Sequence, residues 1–139
     1  FKIKTDHCVL LSDYAHHPKE IYQSIKSMRE LYEGRRITAI FQPHLYSRTR
    51  DFYQEFAEAL SLLDEVILCD IYPARELPIE GVTSQLIYDC LKPGVEKRMI
   101  KTEEVLNVVR EKDFDVLMIL GAGDLDSYVP EIKKILESK

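Results

Sequence analysis

Several features that mark particular classes of protein are missing from this chain of 139 residues. No apolar run approaches the ~20 residues that a membrane-spanning helix needs, and no signal peptide is recognisable at the N-terminus. The formal net charge of -5 leaves no excess of cations for the basic face on which general nucleic-acid binding depends. We therefore expect a cytoplasmic protein that binds neither a membrane nor nucleic acid.

Cysteine is scarce, and the motifs of covalent chemistry are absent. The three cysteines, Cys8, Cys69 and Cys90, show no Cys-x-x-Cys spacing, so we expect reduced and mostly buried thiols. The sequence contains no Gly-x-x-x-x-Gly-Lys-Ser/Thr phosphate loop. No nucleophile, base and acid stand in a plausible series, so no residue is assigned a catalytic role. The remaining chemistry predicts binding and orientation of a ligand.

Short apolar runs alternate with amphipathic segments along the whole chain. The runs are continuous, as expected for strands that are covered on both faces. They lie near residues 8–13, 36–41, 65–70, 97–100 and 115–120. Helical patterns follow Pro18, lie near residues 49–62, 84–91 and 130–137, and begin once more at Thr102 as an N-cap. The pattern predicts one three-layer α/β domain over residues 1–139, with helices on both faces of a mostly parallel sheet of about five to six strands.

The two edges of this predicted sheet differ in their chemistry. Segments that enter strands read as generic turns with solvated charges, whereas segments that leave strands hold histidine, arginine, tyrosine and glycine. These strand-leaving segments are residues 13–18, 42–50, 70–76 and 121–124. Because ligands of wound parallel sheets bind at the carboxyl ends of the strands, the asymmetry predicts a binding site at that edge.

Histidines and one aspartate are the first candidates for this site. Asp13 ends the first strand, where a carboxylate either binds ribose hydroxyls or a cation, or caps the loop. His16 and His17 are neighbours and must point in different directions, so one can pack while the other faces the pocket. A zinc site of His16, His17 and His44 is conceivable, but the spacing matches no standard pattern, and no metal site is predicted.

Arginines at a predicted helix start add an anion-binding element. Arg48 and Arg50 stand where the second helix begins, so their charge adds to the positive helix terminus. A carboxylate or phosphate would meet both a guanidinium and free backbone N–H groups there. The alternative is a solvated basic turn, which suits Arg50 better than Arg48.

A glycine pair follows the last predicted strand. Gly121 and Gly123 would let a ligand approach the backbone closely. As a dinucleotide-binding fingerprint the segment fails, because Asp126 takes the third glycine position and the unit closes the fold rather than opening it.

Taken together, four segments resemble the C-terminal domain of the Mur ligase family. They read Asp-Tyr-Ala-His-His-Pro at residues 13–18, Phe-Gln-Pro-His-Leu-Tyr-Ser-Arg-Thr-Arg-Asp-Phe at 41–52, Ile-Tyr-Pro-Ala-Arg-Glu at 71–76 and Gly-Ala-Gly-Asp at 121–124. The first is shared widely in the family. Phe-Gln-Pro-His followed by Ser-Arg-Thr-Arg is much more particular to one branch, the UDP-N-acetylmuramate–L-alanine ligases. The similarity extends over nearly the whole chain.

The resemblance implies a longer enzyme, of which this chain is the third, Rossmann-like domain. In the family, an N-terminal domain holds the UDP-sugar, and a central ATPase domain carries the phosphate loop and the magnesium ligands; both are absent from residues 1–139. The implied activity is ATP-dependent amide-bond formation in peptidoglycan biosynthesis, and thus in cell-wall formation, cell shape and cell division. The implied ligands are UDP-N-acetylmuramate, L-alanine and ATP with Mg2+, and the isolated domain is expected to be inactive.

Carried over position by position, the resemblance assigns roles to particular residues. Asp13 matches the aspartate that reaches the ribose of ATP when the domains close. The residues that match the lining of the pocket for alanine and the muramoyl group are Tyr14, His16, His44 and Arg48. Two positions depart from the pattern of some members, which have arginine in place of Leu45 and glycine in place of Arg75.

Other interpretations stay open. A related ligase that recycles murein peptide shares much of the pattern, but the complete Gln-Pro-His to Arg-Thr-Arg segment argues against it. A receiver-like signalling domain would use Asp13 and Asp70 at strand ends, but it needs a basic residue after the fifth strand, where Gly121 and Ala122 stand. A stand-alone nucleotide-binding module is the third alternative.

Overall fold

One sheet of six strands runs through the described part of the chain, which comprises residues 2–4 and 8–139 of the computed structural model. In chain order its strands are β1 (Lys2–Lys4), β2 (Val9–Asp13), β3 (Ile37–Phe41), β4 (Glu65–Leu68), β5 (Glu96–Met99) and β6 (Val116–Leu120). Their order across the sheet is β1-β2-β6-β3-β4-β5. Only β1 runs antiparallel to its neighbour among these strands, so the mostly parallel sheet predicted from the sequence is confirmed.

Helices lie between the parallel strands and after the last one. They are α1 (Pro18–Leu31), α2 (Tyr46–Leu60), α3 (Gln85–Cys90), α4 (Val105–Glu111) and α5 (Val129–Glu137). Short 3-10 turns at Thr102–Glu104 and Asp124–Tyr128 lead into α4 and α5. Within residues 2–4 and 8–139, no helix has the length and apolar character needed to cross a membrane.

Side chains of the central strands point alternately into two apolar cores. In β6, Leu117 packs into the core that α4 and α5 cover, whereas Met118 packs into the core that α1, α2 and α3 cover. Ile40 and Phe41 of β3 divide in the same way. Because both faces are covered, the strands carry apolar residues at successive positions. The predicted three-layer α/β architecture is therefore confirmed.

The bounds of the predicted elements agree closely with the structure except at the start of α2 and at Thr102, and β1 (Lys2–Lys4) lies outside the five predicted strands. α2 begins at Tyr46, three residues before the predicted start at residue 49. The apolar stripe on which the prediction relied begins only at Phe52, in the second turn of the helix. Thr102 is not an N-cap but opens a 3-10 turn, and its N–H and hydroxyl both donate to Asp70 Oδ1 at 2.7 Å. Its side chain thus links the end of β4 to α4 instead of capping a helix.

The three central strands end level with one another at the carboxyl edge. The register pairs Asp13 of β2 with Leu120 of β6, and Phe41 of β3 with the same Leu120. Neighbouring strands lie about 4.8 Å apart, so the segments that leave β2 and β3 start about 10 Å apart, on either side of the end of β6. Side chains of ordinary length can therefore meet above β6.

The amino edge holds a buried ion pair that should contribute to stability. The Glu65 carboxylate is 4% exposed and lies 2.9 Å from Lys112 Nζ, and it accepts a hydrogen bond from the buried Thr38 hydroxyl at 3.1 Å. We expect Glu65→Ala to lower the free energy of unfolding by about 1–3 kcal/mol, because the Lys112 ammonium and the Thr38 hydroxyl both lose their partner. Urea unfolding should show a lower midpoint with an unchanged m-value.

Glu96 is the matched control for this variant. It pairs with Arg36, whose guanidinium also reaches Glu65, but its own side chain is 59% exposed. Glu96→Ala should cost less than about 1 kcal/mol, since exposed ion pairs contribute little. Equal midpoint shifts for the two variants would contradict a specific contribution from the buried carboxylate.

Candidate functional site

His44 lies at the centre of a group of side chains above β6. Its ring meets the ring of His16 edge-on, with centroids 5.7 Å apart and planes inclined by 63°. Its Nδ1 lies 3.1 Å from Nη1 of Arg48, which is four residues later in the chain and lies in the first turn of α2. The structure thus brings together three of the residues predicted from two separate segments of the sequence.

His17 has a different environment from His16, as expected for neighbouring residues. It is the N-cap of α1, and its ring accepts a hydrogen bond from the Lys19 N–H at 3.4 Å. Its own N–H donates to Glu20 Oε1 at 3.1 Å, which completes a capping box. The side of its ring packs against Phe52, with centroids 5.4 Å apart. His17 therefore stabilises a helix start rather than the group around His44.

Among the residues that the structure describes, no metal ligands converge at this edge. His16 and His44 face each other, but His17 is turned towards α1. Across the described ranges 2–4 and 8–139, no group of three or more histidine, cysteine, aspartate or glutamate side chains gathers around a common point.

Asp13 is held by its own loop at the end of β2. Its Oδ1 accepts from the Ala15 N–H at 3.0 Å, and its Oδ2 accepts from the Ser24 hydroxyl of α1. The loop-capping role considered from the sequence is therefore present. Each carboxylate oxygen keeps a second lone pair, so Asp13 can accept further hydrogen bonds at the surface. Tyr14 is 59% exposed, while its carbonyl accepts from His16 Nδ1 at 3.3 Å.

A third loop, after β4, supports His44 in a way that the sequence did not reveal. Tyr72 forms an isolated parallel bridge with His44. The Tyr72 N–H donates to the Pro43 carbonyl and the Leu45 N–H donates to the Tyr72 carbonyl, both at 2.8 Å. The Tyr72 ring stacks on the His44 ring, with centroids 5.6 Å apart and planes inclined by only 15°.

Glu76 of the same loop occupies the start of α2. Its carboxylate accepts from the Ser47 N–H at 3.1 Å and from the Ser47 hydroxyl. These two hydrogen bonds hold the pKa of Glu76 below its usual value. The expectation that the helix start offers free backbone N–H groups to a ligand beside Arg48 is therefore wrong for Ser47, because an internal carboxylate already binds that donor.

The glycines after β6 serve packing within the protein. A Cβ atom on Gly121, which has φ of 133°, would lie 2.7 Å from the Gln42 carbonyl oxygen, and one on Gly123 would lie 2.6 Å from Cγ of Tyr72. The buried Gln42 side chain accepts from the Leu125 N–H at 2.8 Å and donates to the Thr102 hydroxyl at 3.2 Å. The sequence predicts that a ligand would approach these glycines closely. In the structure, Gln42 and Tyr72 occupy that space instead.

The protonation of His44 follows from its neighbours. Burial lowers the pKa of His44 below 6.5, the positive charges of Arg48 and His16 lower it further, and Glu76 opposes them. A guanidinium can only donate hydrogen bonds, so Nδ1 of the neutral ring accepts from Arg48 and Nε2 carries the proton. The site therefore presents the Arg48 cation and a histidine N–H donor.

We expect His44 to titrate below pH 6.5. Because the folded pKa lies below the unfolded one, the stability linked to His44 is complete above pH 6.5 and is lost as the pH falls through the folded pKa. Arg48→Gln should raise the titration midpoint of His44 part of the way towards 6.5. The shift should be partial because burial, the largest cause of the lowered pKa, persists in the variant. Histidine NMR titration measures both effects. Arg50→Gln is the control, because Arg50 pairs with Asp51 at 2.9 Å; an equal response would contradict the direct Arg48 contact.

Comparisons with known proteins agree with this fold. The family model described as "Mur ligase, glutamate ligase domain" matches residues 1–124. The UDP-N-acetylmuramate–L-alanine ligase of Phocaeicola vulgatus is 67% identical over 139 residues, which is 100% of this chain and 30% of that protein. The crystal structure of UDP-N-acetylmuramate–alanine ligase from Thermotoga maritima has a TM-score of 0.73 at 29% identity, over 94% of this chain and 27% of that chain.

A murein peptide ligase from Psychrobacter arcticus also has a similar structure. Its TM-score is 0.75 at 16% identity, over 99% of this chain and 29% of that chain. This likeness shows the shared fold alone. The chain spans about 30% of the length of the curated relatives it matches.

The family match excludes the receiver-like interpretation and the unrelated nucleotide-binding module. The residue that follows β6 is Gly121, where a receiver needs a basic side chain. The chain therefore belongs to the Mur ligase family, and it corresponds to the C-terminal, glutamate ligase domain of the family's enzymes.

Proposed function

We propose that this chain is the C-terminal domain of a cytoplasmic, ATP-dependent ligase that joins L-alanine to UDP-N-acetylmuramate in peptidoglycan biosynthesis. The observation that carries the proposal is the contact between Arg48 and His44 within the Gln-Pro-His to Arg-Thr-Arg segment. The Phocaeicola vulgatus relative at 67% identity has this name, whereas the murein peptide ligase is only 16% identical. Murein-peptide recycling is therefore the less favoured substrate assignment.

Arg48 is the residue that we assign to the carboxylate of L-alanine. A guanidinium has five N–H donors, and its planar fork matches a carboxylate. One nitrogen of Arg48 donates to His44, which leaves the other nitrogens for the ligand. A carboxylate held in this way leaves the amino group of alanine free to attack the activated sugar acid. His16 and Tyr14 line the same side of the site in this proposal.

We assign the binding of ATP and Mg2+ mainly to a central domain of the longer enzyme, since the relatives are about three times as long as this chain. ATP supplies the activation of the substrate carboxylate. In this chain, Asp13 is the residue suited to the ribose hydroxyls, because its half-buried carboxylate is already oriented by Ala15 and Ser24 and retains acceptor capacity. The pocket is then completed when the domains close.

In the full-length enzyme, Arg48→Ala should lower kcat/KM for L-alanine by about 10- to 150-fold, which corresponds to one charge-assisted hydrogen bond of about 1.5–3 kcal/mol. The KM for ATP should change little, and Arg48→Lys should restore only part of the loss because lysine lacks the planar fork. Steady-state kinetics with each substrate varied in turn measure these effects.

Arg50→Ala serves as the control on the same helix, since Arg50 is paired with Asp51; its kinetics should match the wild type. Equal losses for all three substrates would make Arg48 a scaffold residue. Preference for the murein tripeptide over L-alanine would instead transfer the proposal to the recycling ligase.

The 139-residue chain by itself should neither hydrolyse ATP nor form the amide bond. The phosphate loop and the metal ligands belong to the absent central domain in this proposal. A coupled ATPase assay on the purified chain checks this, with the full-length enzyme as the positive control. ATP turnover in proportion to the concentration of the chain would contradict the proposed division between domains.

A further inference from the structure

Two strained residues lie in the two loops that meet at His44. In the described ranges, the non-glycine residues with positive φ are Leu45 at 70° and Ala74 at 53°. Such backbone conformations cost about 1–3 kcal/mol each and persist only where the surrounding structure enforces them. Leu45 directly follows His44, and Ala74 lies between Tyr72 and Glu76. The strain is therefore concentrated on both sides of a single loop–loop contact.

Tyr72 fixes one end of this contact. Its backbone N–H and carbonyl bond to Pro43 and Leu45, so the two loops are joined as a short piece of parallel sheet. Its ring lies between His44, on which it stacks, and Gly123, where a Cβ atom would collide with it. One face of the His44 ring is consequently covered by the Tyr72 ring, which itself packs closely against Gly123.

Glu76 fixes the other end. Its N–H closes a turn to the Pro73 carbonyl at 2.9 Å, and its carboxylate binds the N–H and hydroxyl of Ser47. Ser47 directly precedes Arg48 in the first turn of α2. The N-cap, Leu45, makes no side-chain hydrogen bond to the helix. Glu76 therefore supplies the capping acceptor that the N-cap residue does not.

We propose that residues 72–76 form a positioning clamp, in which Tyr72 sets the plane of His44 and Glu76 sets the start of α2, so that Arg48 meets His44 before the amino acid binds. This deepens, and in its kinetic part rests on, the proposed ligase function. A free arginine samples many rotamers, and holding it in one geometry removes that entropy cost from ligand binding. Glu76 acts through Ser47 and Arg48, so it is a positioning residue and not a catalytic one.

The charges around His44 agree with this role. Arg48 and His16 disfavour a proton on His44, whereas Glu76 favours it, and Tyr72 faces the ring as a neutral group. If Glu76 only joined two loops, its loss would leave the contact between His44 and Arg48, and thus the position of the imidazole proton, unchanged. If it positions Arg48, its loss must free Nδ1 of His44 from the guanidinium, and the distribution of the imidazole proton between Nδ1 and Nε2 must change.

The test uses the full-length enzyme labelled with 15N-histidine, with the His44 signals assigned through His44→Gln. Glu76→Ala removes the clamp, Glu76→Gln keeps an oxygen acceptor for the Ser47 N–H, and Glu80→Ala is the control. Glu80 is an exposed carboxylate of the same connection and makes no hydrogen bond to the described part of the chain. Imidazole 15N shifts report the tautomer of His44, and steady-state kinetics report KM for L-alanine and ATP separately.

We expect wild type and Glu80→Ala to show the Nε2–H tautomer, Glu76→Ala a mixture of tautomers, and Glu76→Gln an intermediate spectrum. KM for L-alanine should rise by about 5- to 30-fold in Glu76→Ala, the equivalent of one lost helix cap, with little change in kcat or in KM for ATP. If Glu76→Ala does not fold, the intermediate spectrum of Glu76→Gln decides the question.

A wild-type His44 spectrum in both folded Glu76 variants would overturn the clamp, whatever the kinetics show. A changed spectrum in an enzyme that ligates an amino acid other than alanine would overturn the proposed substrate and leave the clamp supported. An equal rise in KM for ATP and L-alanine would overturn the clamp as well, because it would indicate a general loss of the closed site.

Discussion

The position of β6 between β2 and β3 is the constraint on which the site depends. Leu120, at the end of this fully buried strand, is in register with both Asp13 and Phe41, so the loops that follow these residues must rise on either side of one strand end. Segments separated by more than twenty residues in the sequence then bring His16 and His44 within ring contact. The two cores of the sheet hold this arrangement in place, and loop residues need only supply the chemistry.

Below the polar surface, a buried amide connects the loops to one another. Gln42 accepts from Leu125 and donates to Thr102, which in turn donates to Asp70. One continuous set of hydrogen bonds therefore joins the segments that follow β3, β4, β5 and β6. A buried amide that lost one of these partners would pay a desolvation cost, so the loops are held together as a unit and not as separate connections.

The sequence predicts the layers of the fold and the edge of the site better than it predicts the contacts. Continuous apolar runs and helical stripes depend on local periodicity, and His44 and Arg48 are four residues apart in one segment. Tyr72 and Glu76 could not be assigned roles, because their contacts with His44 and Ser47 arise from the order of the strands, which no local pattern encodes. The sequence identifies Gly121 and Gly123 as positions of close approach, but the strand order decides that Gln42 and Tyr72 make this approach.

The electrostatics of the site explain why a histidine stands beside the arginine. A carboxylate there would fix Arg48 strongly but would also neutralise it, and the guanidinium would lose its attraction for an anionic ligand. Neutral His44 orients Arg48 through Nδ1 while leaving its charge uncompensated. Glu76, the nearby anion, is bound by Ser47. The negative charge that caps α2 therefore stays at the helix start, bound by Ser47. The positive charge of Arg48 remains available for the carboxylate that we propose it binds.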